Sequence, residues 1–237
     1  MKTITPEATL GELVTAHPTL AREMERRGLD YCCGGRKSLA EACGDSGIDV
    51  DATIAALVDA AGDHQPEAWS TMGVAQLVKH VEETHHRYLW DEMPRLSALL
   101  DKIVMVHGGR HPELADVRDC FTEIRADLEP HMHREEQVVF PMIAALAAPS
   151  GVPSPQGGSV QDPISVLIEE HDTVGDLMER MSALTSGYQT PADGCATYQA
   201  CYAGLAEFES DTHLHVHKEN NVLFPAAIAL EQHLTHA

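Results

Sequence analysis

The segment HMHREEQVVFP at His131–Pro141 returns as HVHKENNVLFP at His215–Pro225. Both obey H-x-H-x-E-x-x-V-[V/L]-F-P without a gap, 84 residues apart. A histidine and an acid four residues apart lie one turn apart on one helix face, so each copy brings an imidazole and a carboxylate to one point. At about 100° per residue, His131 and Glu135 fall in a stripe with Val117, Phe121, Ile124, Leu128, Val139 and Met142. His215 and Glu219 likewise join Cys201, Leu205, Phe208 and Leu223. Both copies therefore aim ionisable groups at a core, which is costly unless those groups are paired or bind a cation. His133 falls opposite the stripe, and His213 and His217 also point away from it, so these three read as surface residues.

Four long helical patterns cover roughly residues 72–106, 112–147, 163–186 and 192–232, which fits an antiparallel four-helix bundle. Between the second and third lies APSGVPSPQGGSVQDP, an aperiodic stretch rich in Pro, Gly and Ser that reads as a crossover loop. The third pattern puts His171 amid Ile164, Leu167, Ile168 and Met178, and the first offers His85 or His86 in THHRYLWDEMP. His86 to His131 is 45 residues and His171 to His215 is 44, so the chain reads as a duplicated helix pair. Each pair supplies one lone histidine and one H-x-x-x-E, and together they surround one site. Fifteen histidines, about 6% of the chain, exceed ordinary usage several-fold, so position on the helices decides which of them matter.

Inward carboxylates and imidazoles from four helices form a metal-binding set. Two carboxylates able to bridge suit a pair of iron ions better than one tetrahedral zinc, and manganese fits the same donors. Four histidines and two bridging glutamates leave room for an oxo bridge and an exogenous small molecule.

The 237 residues suffice for a bundle and a smaller domain. Residues 1–62 read as short helices, with Pro18 at a helix start, Gly28 at a C-cap, and a capping box at Ser38–Glu41. Residues 63–71 read as a linker and 72–237 as the bundle. The net charge of −21 argues against nucleic acid, which needs clustered Lys and Arg. No apolar run reaches the length of a membrane span or follows a basic start, and six irregularly spaced cysteines do not form a secreted disulfide framework. The expectation is a cytoplasmic protein with no membrane partner and reduced thiols.

These motifs carry a resemblance. The H-x-x-x-E helices, lone histidines and Phe-Pro endings resemble hemerythrin-like domains. DYCCGG at Asp30–Gly35, followed by SLAEAC, resembles the ScdA-type Cys-Cys domain that precedes such a bundle in the Repair of Iron Centers family. The resemblance spans nearly the whole chain. It implies an all-α fold, a four-helix hemerythrin-like bundle after a small helical domain, holding two iron ions. Matched position by position, the implied ligands are His86, His131, Glu135, His171, His215 and Glu219, with His85 the alternative to His86 and both glutamates bridging. The helical wheel itself centres His85, and Pro94 is the sequence feature that would distort the helix. Glu136 reads as an acid supporting the site or facing solvent. The implied function is repair of iron-sulfur clusters damaged by nitric oxide or oxidants, through iron donation to damaged iron-sulfur proteins as clients. Rival readings are a sensor or carrier of O₂ or NO, and a di-iron enzyme that reduces NO.

Cys32 and Cys33 are adjacent, and a disulfide between neighbours closes a strained ring. They read either as small residues at a Gly-rich turn or as thiols for redox change or iron transfer, with Gly34 and Gly35 giving access and Arg36 and Lys37 favouring the thiolate. Two thiolates do not complete a four-coordinate site. Further ligands would come from a second subunit in a homodimer, a client or the bundle site. Cys43, Cys120, Cys195 and Cys201 sit at helical positions and read as packing residues.

Overall fold

The computed structural model of the chain describes residues 4–61, 68–148 and 158–236. Among these every regular element is helical, and the one β-type pairing is an isolated bridge between Thr9 and Ser38. Contacts divide the chain into two compact units, Met1–His80 with Met142–Ile164 and His213–Ala237, and Val81–Pro141 with Ser165–Thr212. Most of the expected linker and crossover loop, at 63–67 and 149–157, lies outside the described residues.

In the first unit α1 (Leu10–Ala16) and α3 (Leu39–Ser46) each begin with a complete capping box, Thr9 with Glu12 and Ser38 with Glu41. The two caps lie side by side: Leu10 N donates to Lys37 O at 3.0 Å and Leu39 N to Ala8 O at 2.9 Å. Between them α2 (Ala21–Arg26) ends before Gly28, whose φ of +66° is the left-handed conformation glycine tolerates best. With α4 (Val50–Ala61), these short helices bury Leu10, Leu13, Leu20, Met24, Leu39 and Leu57, joined by Val216 from the C-terminal segment. Each such leucine contributes about 1.5–3 kcal/mol by leaving water.

The remaining helices are α5 (Val74–Val81), α6 (Arg87–His107), α7 (Glu113–Arg134), α8 (Phe140–Leu146), α9 (Gln161–Leu184), α10 (Ala196–Lys218) and α11 (Phe224–His236). In the second unit the stretches of α6, α7, α9 and α10 that belong to it enclose one core, with Leu96, Phe121, Ile124, Met178, Leu205 and Phe208 buried in it. That is a four-helix arrangement, as the apolar periodicity requires.

The helices are not uniform. A π-helical turn joins α5 to α6 at Glu82–His86, α7 to α8 at Glu135–Val139, and α10 to α11 at Glu219–Leu223. In the repeated motif Glu opens the turn, and Phe-Pro, whose proline lacks the N–H of a continuous α-ladder, stands where α-helix resumes. The 100° wheel fails at these turns, because an i→i+5 turn advances less per residue. The departure in the first long helix therefore sits at Glu82–His86, ahead of Pro94, and both His85 and His86 are buried.

Candidate metal centre

In the second unit, His86 comes from the first π-turn, His131 from the end of α7, Glu135 from the start of the π-turn that follows it, and His171 from α9. All four are buried, none more than 2% exposed. Glu135 Oε1 lies 3.3 Å from His131 Nε2 and Oε2 lies 3.3 Å from His86 Nε2, so one carboxylate addresses two imidazoles. His171 Nε2 stands 2.9 Å from His131 Nε2. In the first unit, His215 Nε2 lies 3.1 Å from Glu219 Oε1, and both residues are buried.

For His86 and His131 the far side of the ring fixes the tautomer. His86 Nδ1 donates to Glu136 Oε1 at 2.9 Å, an oxygen that also accepts from Trp90 Nε1 at 3.0 Å. His131 Nδ1 donates to Glu170 Oε2 at 2.9 Å, and Arg134 pairs with the other Glu170 oxygen. A neutral imidazole with its proton on Nδ1 keeps a lone pair on Nε2, the form that ligates a metal. Those Nε2 atoms are the ones that face Glu135.

Both Glu135 oxygens are fully buried and neither has a donor in hydrogen-bonding geometry. Burial pushes this carboxyl up; imidazolium charge on His131 and His86 would outweigh burial and hold it well below the usual carboxylate range, whereas neutral rings leave the buried anion uncompensated. A buried anion is expensive without charge compensation, and a cation between Glu135 and the imidazoles would supply it. The ligand atoms of His131, Glu135 and His171 lie within 4.8 Å of one another, close enough to share one ion. Nitrogen and carboxylate donors of this kind suit iron, manganese or zinc.

His85 is buried too, and its Nδ1 donates to Asp211 Oδ1 at 2.9 Å, the same kind of support that His86 and His131 have. Other expected positions differ. His217, on the solvent side by the wheel, is buried against Tyr31 and Trp69, because the N-terminal helices cover the face of α10 that an isolated helix would expose. His213 is half-buried, with Glu25 at 3.7 Å, while His133 is exposed beside the Trp90 ring. Glu170, Asp211 and Asp30 escape the sequence reading. Adjacency to His171 is the only local signal for Glu170, and only folding reveals that it serves His131.

Cys32 and Cys33 are free thiols with Sγ atoms 4.0 Å apart. Asp30 organises their loop, accepting from the amides of Cys32 and Cys33 through Oδ1, each at 3.0 Å, and from Gly34 N through Oδ2 at 2.7 Å. The hydrogen bond to Cys33, burial and the nearby Asp30 raise the Cys32 thiol well above its ordinary value. The expected favouring of the Cys32 thiolate by Arg36 and Lys37 is thus reversed: Lys37 pairs instead with Asp45 at 2.7 Å. Cys43, Cys120 and Cys201 are buried, as packing residues should be. Cys195 is exposed just before α10, with Sγ 3.2 Å from His107 Nε2.

Residues 78–227 match the Hemerythrin HHE cation binding domain, so the chain belongs to the hemerythrin family. Residues 6–61 match ScdA_N, a domain of unknown function. The chain is similar over 94% of its length to proteins named iron-sulfur cluster repair protein YtfE. The one from Enterobacter sp. (strain 638) is 33% identical and those from Citrobacter koseri and Escherichia coli O1:K1 are 32% identical, each matched over 97% of its own length. The fold is accordingly the hemerythrin-like all-α type preceded by a small helical region.

Proposed function

We propose that this chain is a di-iron protein that repairs iron-sulfur clusters damaged by nitric oxide or oxidative stress, by donating iron to the damaged protein. The observation that carries the reading is the buried Glu135 carboxylate with its two oxygens turned to two different imidazoles. The proposed ligands are His86, His131, Glu135, His171, His215 and Glu219, with both glutamates bridging two irons. Bound there, iron supplies a transferable metal ion and an open position for O₂ or NO. The protein's own residues hold the imidazole protons on Nδ1 through Glu136 and Glu170, present Nε2 inward and keep water out.

The names of the relatives support cluster repair as the task, and damaged iron-sulfur proteins are the proposed clients. The proposed division is residues 1–62 for the thiol domain, 63–71 for the linker and 72–237 for the bundle. The proposed setting is the cytoplasm, where thiols stay reduced. Among the described residues no helix is long and apolar enough to cross a membrane.

The test is transfer of ⁵⁷Fe from the loaded chain to an inactivated iron-sulfur client whose activity is followed in parallel. Client activity that rises as the chain loses iron supports donation. Iron that stays in place while the client remains inactive overturns it, and turns attention to gas sensing or NO reduction at the same centre.

A further inference from the structure

The metal centre leaves part of the repeated motif unused. Two residues beyond each ligand pair stands a second i, i+4 pair, His133 with Gln137 in the first copy and His217 with Asn221 in the second. His133 and Gln137 are exposed. Their counterparts are not: His217 is buried and Asn221 half-buried, and both reach the backbone of the DYCC loop. Asn221 Nδ2 donates to Cys32 O at 3.0 Å and to Tyr31 O at 3.3 Å. His217 Nδ1 also donates to Tyr31 O at 3.3 Å, so its Nε2 is left to accept from Thr15 Oγ1 at 3.2 Å.

Two glycines make room for this grip. A Cβ on Gly35 would stand 2.3 Å from Asn221 Oδ1, and one on Gly11 would stand 2.7 Å from the same atom. Asp30 ties the loop from within and the C-terminal helix ties it from outside. Asn221 lies inside the π-turn that Glu219 opens, so whatever moves that turn pulls on the carbonyl of Cys32.

We infer that Asn221 and His217 are positioning residues that clamp the Cys32–Cys33 loop to the π-turn bearing Glu219 and keep the Cys32 thiol masked while the clamp is closed. The inference gives a regulation to the thiols and rests on their proposed part in iron transfer. The second copy of the motif thus acts on two fronts, a metal face at His215 and Glu219 and a loop face at His217 and Asn221.

The experiment is iodoacetamide labelling of the full chain, with and without iron, with each cysteine read by peptide fragmentation. Asn221→Asp keeps the size of the side chain but sets a carboxylate against two carbonyl oxygens. Gly35→Ala forces the same contact apart from the loop side. Loss of two neutral hydrogen bonds should speed Cys32 labelling roughly 30-fold in the iron-free chain, while buried Cys43 stays protected and reports the fold. Cys32 labelling at the wild-type rate in both variants, with Cys43 protected, overturns the clamp. Iron content is measured on the same samples: a chain that takes up no iron overturns the metal centre, whereas unchanged labelling in iron-replete variants overturns the clamp alone.

Discussion

Glu135 faces His86 with one oxygen and His131 with the other, so a substitution there touches both halves of any pair of ions it bridges. Glu135→Ala should lower bound iron from two per chain to one or fewer, as read by metal analysis after gel filtration. Glu170 acts one step back, holding His131 by Nδ1. Loss of such a partner commonly costs about 10–100-fold in metal affinity, and competition with a chelator should show a loss of that size for Glu170→Ala. Cys195 makes a separate prediction. The His107 imidazole and the backbone amides at the start of α10 bring its thiol down to about 7. A lowered thiol pKa places the reactive thiolate at lower pH, so Cys195 alkylation should rise with a midpoint near that value. His107→Ala should move the midpoint toward the ordinary thiol range of about 8.5, and a midpoint that does not move would remove His107 as the cause.

At the scale of elements, the π-turns separate what the sequence makes legible from what it hides. His131 with Glu135 and His215 with Glu219 precede or open their turns, so plain i, i+4 counting brings each pair together as the structure does. His85 and His86 end a turn, where the 100° wheel no longer applies, and the pattern alone could not assign their partners. His217 is misread for another reason: an isolated wheel carries no information about a second layer, here Thr15 and Tyr31, packed on the back of the helix. Glu170 and Asp211 depend on contacts 39 and 126 residues away, beyond any local pattern. The turns also tie the elements together. Gly11→Ala would press a methyl group into Asn221, and overpacking of this kind costs about 1–3 kcal/mol. Urea unfolding should show a lower midpoint with an unchanged slope.

For the molecule as a whole, 37 acidic against 16 basic residues make an anion of −21 before any metal is bound, a balance that favours solubility and cations over nucleic acid. A ligand that binds only the folded chain stabilises it by about 2.7 kcal/mol at a hundredfold excess over Kd, or roughly 5–10 °C for a chain of this size. Chelation should therefore lower the thermal midpoint by that amount, and iron, not magnesium, should restore it. The all-helical class was legible because apolar periodicity persists through every long segment. The thiol loop's attachment was not, because it depends on two glycines and one asparagine that no periodicity marks. The most direct measurement is iron content together with the Mössbauer spectrum of the purified chain. The proposed centre requires two irons per chain, magnetically coupled through shared carboxylates, whereas a single iron, two uncoupled irons or none would contradict it.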